Sequence, residues 1–129
     1  MKKYELTNDT ITANGKTLHR IKALKTFSNV EEGELGGYVE REDNLGQSGD
    51  AKVYGNALVY GNALVCGDAW VYGNARVYGD AWVYGDALVY GDALVCGDAK
   101  VYGNALVYGN ALVCGDAWVY GNARVYGDA

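Results

Sequence analysis

Four sets of side chains have the types and spacing to do chemistry. Cys66, Cys96 and Cys114 are the only thiols, and Cys96 and Cys114 stand 18 residues apart. Thiols brought together could form a redox pair or hold a soft metal. Aspartates recur on the same interval, at Asp50, Asp68 and Asp86 and again at Asp80, Asp98 and Asp116. A column of carboxylates repels itself unless it is protonated, hydrated or bridged by a cation such as calcium. His19 is the only histidine, and its type suits general acid–base work near neutral pH. Twelve tyrosines could either pack on one another or offer aromatic surface to a base, a sugar or a protein groove.

A repeat must position these groups. From Gly49 the chain reads GDAKVY GNALVY GNALVC GDAWVY and onward, thirteen full hexapeptides and a remnant. Within each unit the third residue is always Ala and the fifth always Val, while the fourth varies among Lys, Leu, Trp and Arg. Side chains two apart on a strand share one face, so Ala and Val point inward and the residue between them points out. The Tyr-Gly-Asp or Tyr-Gly-Asn that follows makes a corner, because Gly takes positive φ freely and Asp or Asn bonds nearby backbone. One unit cannot bury its own Ala and Val. Successive units must therefore wind into coils whose three-residue strands stack in parallel about 4.8 Å apart. The fold class is all-β, a parallel β-solenoid. Glycine-rich disorder is excluded by the fixed inward Val and the near-constant Tyr.

Composition agrees: nineteen glycines, no proline and one phenylalanine are the skew of a repeat. The net charge is −5. Most of it lies in residues 49–129, where four basic residues face eight aspartates, a net of −4. An acidic surface without a basic stripe disfavours direct nucleic-acid binding. The polar N-terminus and the lack of 18 uninterrupted apolar residues predict neither a signal peptide nor a membrane span, hence a cytoplasmic chain. Three cysteines without a secretory signal argue against a disulfide framework and for free thiols.

The order Val-Tyr-Gly-Asp-Ala-x resembles the hexapeptide repeat of left-handed β-helices. More narrowly, Glu34-Leu35-Gly36-Gly37-Tyr38-Val39-Glu40, then Asp43-Asn44-Leu45, then GNARVYGDA units, resemble the YdcK-like group of bacterial and prophage hexapeptide proteins over roughly residues 20–129. The resemblance implies a left-handed triangular β-helix with three hexapeptides per 18-residue coil, and so four and a half coils over residues 49–129. Val39 and Leu45 precede Ala51 at six-residue steps and are expected in the same inward column, which moves the start of the solenoid to Gly37. Residues 37–129 then form the β-helix, with 49–129 its regular part. Residues 1–36 form a cap and lead-in, a small antiparallel hairpin around Asn14-Gly15 that covers the open edge of the first coil.

With the coil that the resemblance implies, outward residues sort into three faces. The first carries Lys52, Trp70, Leu88, Leu106 and Arg124, the second Leu58, Arg76, Leu94 and Leu112, and the third Leu64, Trp82, Lys100 and Trp118. Trp70, Leu88 and Leu106, together with Leu94 and Leu112, are the interface candidates, since contiguous apolar surface marks association. On the same geometry Cys96 and Cys114 stack at one corner, near the separation a disulfide permits; plain replacement of the repeat's Tyr by Cys is the simpler reading. Residues 49–78 recur unchanged as 97–126, a shift of eight units. Eight is not a multiple of three, so the copy turns onto other faces, which suits a scaffold better than a finely built pocket.

The expected function is a non-enzymatic structural or interaction solenoid that presents its faces or an open end. Its expected partners are copies of itself, as a trimer of the kind common among left-handed hexapeptide proteins or as an end-to-end dimer, or another protein. No catalytic residue, cofactor or metal is expected. A hexapeptide acyltransferase is one alternative, but such enzymes use a histidine on or beside the helix and loops that interrupt the coils, and the repeats here have neither. The other is a phage-type inhibitor that blocks a host nucleic-acid enzyme with its acidic rod.

Overall fold

The computed structural model describes residues 2–27, 30–46 and 49–127. Two long strands open the chain, β1 (Tyr4–Ala13) and β2 (Lys16–Ala23), paired antiparallel with Leu6 opposite Ile21 and Ile11 opposite Leu18. Asn14 (φ 50°) and Gly15 (φ 75°) join them, as a type I′ turn requires. Strand β3 (Leu35–Val39) pairs antiparallel with β2 on one side and in parallel with β5 (Leu58–Val59) on the other. The hairpin and the solenoid therefore share one sheet.

Each hexapeptide from Ala51 onward contributes a strand of two residues, the variable residue and its Val. One sheet runs through β5, β8 (Arg76–Val77), β11 (Leu94–Val95) and β14 (Leu112–Val113), and with the hairpin and β3 it has seven strands. A second has five strands: β4 (Lys52–Val53), β7 (Trp70–Val71), β10 (Leu88–Val89), β13 (Leu106–Val107) and β16 (Arg124–Val125). The third has four: β6 (Leu64–Val65), β9 (Trp82–Val83), β12 (Lys100–Val101) and β15 (Trp118–Val119). All these strands are parallel, with residue i opposite i+18. Three sheets and an 18-residue coil make a three-sided solenoid of about five turns.

The core follows from the period. Every repeat Ala from Ala51 to Ala111 and every repeat Val from Val53 to Val107 is at most 1% exposed. The flanking Ala contributes its carbonyl to the next ladder rung, as in the bond from Leu88 N–H to Ala105 O at 3.0 Å. At each corner a glycine takes positive φ. At Gly91 φ is 71° and an added Cβ would stand 2.9 Å from the Gly109 nitrogen, so the stacked corners have room for neither a side chain nor another conformation.

The first coil differs from expectation. Val39 and Leu45 are inward and buried, but they register with Val59 and Val65 rather than with the alanines. The step is 20 residues instead of 18, so Gly37 takes the alanine place and the coil carries two extra residues. Residues 47 and 48 lie outside the described residues. A 3-10 turn at Glu42–Asn44 replaces the strand of that side.

The hairpin also does more than cover an edge. Leu18, fully buried, packs with Leu58 and Tyr60, and Ile11, Ala13 and Tyr38 pack around them. Asn14 Nδ2 donates to Tyr60 Oη at 2.8 Å. Leu58, expected on the outside, is therefore 6% exposed beneath the hairpin.

Candidate interaction surfaces

The repeat sets strand against strand, so its variable residues form straight columns. On the first face Trp70 is opposite Leu88 and Leu88 opposite Leu106, one ladder rung apart, and all three are half-buried. On the second, Leu94 is opposite Leu112; Leu94 is half-buried and Leu112 exposed. All five interface candidates thus lie in two columns. Lys52, expected at the head of the first face, is instead 3% exposed. Its Nζ lies 3.6 Å from the Trp70 ring centroid and 5.1 Å from that of Tyr54, and it lines one recess with Phe27, Val30 and Glu34 of the lead-in. Burial lowers its pKa, with Glu34 and Asp50 pulling the other way. On the third face Trp82 and Trp118 are exposed on either side of Lys100, whose Nζ lies 5.1 and 5.6 Å from their ring centroids.

Corner residues form ladders of their own. Tyr54, Tyr72, Tyr90, Tyr108 and Tyr126 stack continuously, centroids 4.9–5.2 Å apart and planes within 8°. Tyr84, Tyr102 and Tyr120 stack at another corner, and Tyr60 and Tyr78 at the remaining one. In each ladder the ring faces are spent on neighbouring rings, so ring edges and hydroxyls are what a partner meets. Self-packing is the role the geometry supports.

Cys96 and Cys114 occupy the column below Tyr60 and Tyr78. They are joined as a disulfide, Cα atoms 4.7 Å apart, which corrects the free-thiol expectation for these two. Ladder spacing alone brings the two α-carbons within the range a disulfide spans. Cys66 is free and half-buried in the column of Tyr84, and burial pushes its thiol pKa up.

The aspartates stand in columns as their spacing indicates, tied partly by side-chain bonds such as Asn62 Nδ2 to Asp80 Oδ1 at 3.1 Å and Asn74 Nδ2 to Asp92 Oδ1 at 3.3 Å. Among the described residues no group of three or more His, Cys, Asp or Glu is placed to hold a metal. Asp50, Asp68 and Asp86 instead line a shallow cleft beside Trp70 and Leu88. His19 sits on β2 opposite Val39, its Nδ1 3.0 Å from the Thr7 carbonyl oxygen.

A family model described as the YdcK β-solenoid repeat matches residues 51–67, 59–73, 69–85, 81–97, 99–115 and 117–129, more than half of the chain. The chain belongs to the YdcK β-solenoid repeat family. No curated protein matches it. Among the described residues of this YdcK solenoid no helix is long and apolar enough to cross a membrane.

Several residues that seat the YdcK solenoid on its cap carry no periodic signal. Lys3, fully buried, donates from Nζ to Ala51 O at 2.6 Å and lies 4.6 Å from the Phe27 ring centroid. The Tyr4 hydroxyl lies 2.5 Å from Glu42 O and 2.6 Å from Leu45 O and offers its one proton between these two carbonyls. Asn44 is fully buried and bonded through both ends of its amide. Each serves a carbonyl that a preceding coil would otherwise serve.

Proposed function

We propose that this chain is a non-enzymatic structural rod that associates with copies of itself through its outer apolar columns. The observation that carries the reading is the unbroken register of Trp70, Leu88 and Leu106, bordered by the five-tyrosine ladder. A flat apolar strip on a rigid support buries surface against a second copy with little loss of side-chain freedom. Leu112, 53% exposed, extends the available surface around the corner. Catalysis draws no support from the site, where polar groups are dispersed in columns rather than gathered around a cavity.

Two or three copies meeting face to face along this column are the assemblies such a surface favours. Light scattering on the purified chain over a wide concentration range tests this. A mass that climbs toward two or three times 13.8 kDa is expected. A constant monomer mass at the highest concentration contradicts it.

A further inference from the structure

We propose that Cys96 and Cys114 form a redox-sensitive staple that fastens the coil of residues 110–127 to the coil before it, opened and closed by a small-molecule thiol–disulfide couple. The repeat's own arithmetic creates the pair. The sequence around Cys114, GNALVCGDAW, is identical to that around Cys66. Because the duplicated block is displaced by eight units, Cys114 lies one coil after Cys96, whereas the residue one coil after Cys66 is Tyr84. The same local sequence thus yields one bonded and one free cysteine.

The place of the bond gives it leverage. In that column stacking ends with Tyr60 on Tyr78, so without the bond the two thiols would supply no ring contact where the other corners stack tyrosines. Strands β14, β15 and β16 are the edge strands of their sheets among the described residues. Their coil is the least buried of the repeat: Ala117 and Ala123 are exposed and Val125 half-buried, where the preceding alanines and valines are sealed. An edge coil of this kind is the first to open, and the bond ties it within an 18-residue loop.

Opening proceeds by thiol–disulfide exchange. A thiolate attacks Sγ of Cys114, the more exposed of the two sulfurs' residues, the sulfur–sulfur bond breaks, and Cys96 leaves as thiolate. A second thiolate attacks the added sulfur of the mixed disulfide, releasing the Cys114 thiolate and a small-molecule disulfide. The two protein thiolates take up the two protons that the small thiols gave up, and closure is the reverse. Cys66 is a poor competitor, since its thiol is held protonated by burial.

The test uses the full chain equilibrated with reduced or oxidised glutathione, with thiols counted by alkylation after denaturation and amide exchange followed by mass spectrometry. With oxidised glutathione, and Cys66 replaced by Ser to remove adducts there, no alkylatable thiol is expected; excess reduced glutathione should expose two. Amides of residues 110–127 should exchange about tenfold faster or more in the reduced protein, while those of residues 57–90 stay unchanged. A Cys96→Ser variant should show the faster rate with or without reductant. Two alkylatable thiols under oxidising conditions, or equal exchange of residues 110–127 in both states, would overturn the proposal.

Discussion

The side-chain amide of Asn44 donates to the Ala63 carbonyl at 2.8 Å and to the Gly61 carbonyl at 3.2 Å. In the regular coils a backbone N–H from the preceding coil fills such places, as Leu64 N–H does for Ala81 O. The 3-10 turn at Glu42–Asn44 withdraws those backbone donors, and one buried side chain replaces two of them. Its Oδ1 meanwhile accepts from the Glu40 and Arg41 N–H groups at 3.1 and 2.7 Å. Glu40 N–H keeps the Val59 carbonyl and the Gly61 carbonyl keeps the Arg41 guanidinium, but Asn44→Leu leaves the Arg41 N–H and the buried Ala63 carbonyl without this partner and should cost about 2 kcal/mol or more. Urea denaturation with an unchanged slope and a lower midpoint is the expected result.

Corner geometry gives a second prediction. Gly91→Ala must place a Cβ at φ 71° and 2.9 Å from the Gly109 nitrogen, so it should cost about 2 kcal/mol or more. Gly115, with φ 66°, has nothing within 4 Å of the equivalent position. Gly115→Ala keeps only the conformational penalty and should be the milder of the two, by comparison of thermal midpoints.

The period was legible because Ala and Val never change place: inward and outward positions and corners follow from it, and the 18-residue partners from the family resemblance. The first coil was not. Val39 and Leu45 continue the six-residue spacing on paper, but two extra residues move them from the alanine to the valine register, and no periodic signal marks an insertion in a degenerate unit. Lys3, Tyr4 and Asn44 act through polar bonds to a coil edge, and single polar residues in a leader look alike whether buried or exposed. Cys96 and Cys114 were legible as neighbours; their bond depends on oxidation, which spacing does not encode.

Stability should rise and then fall with alkaline pH. Burial brings the Lys3 ammonium down to about 8, against a weaker opposing pull from Asp50. Between that value and the ordinary lysine range the unfolded chain holds a proton that the folded chain has released, so stability increases with pH. Burial pushes Tyr54 up to about 12, with Tyr72 adding to it, and raises Tyr4 further. Above the ordinary tyrosine range the folded chain keeps protons that the unfolded chain has lost, so stability declines. Urea midpoints at pH 7, 9 and 11 should pass through a maximum at the middle value. Lys3→Met should shrink the rise to the part that buried Lys52 contributes, and leave the fall.

The proposed self-association rests on the first face, and sedimentation velocity of the natural chain beside a Leu88→Lys, Leu106→Lys variant tests it most directly. Both side chains point away from the Val core, so the variant should keep its fold by circular dichroism. The natural chain should sediment as a dimer or trimer, and the variant as a monomer at the same concentration. A natural chain that sediments as a monomer, or a folded variant that sediments like the natural oligomer, would contradict the account.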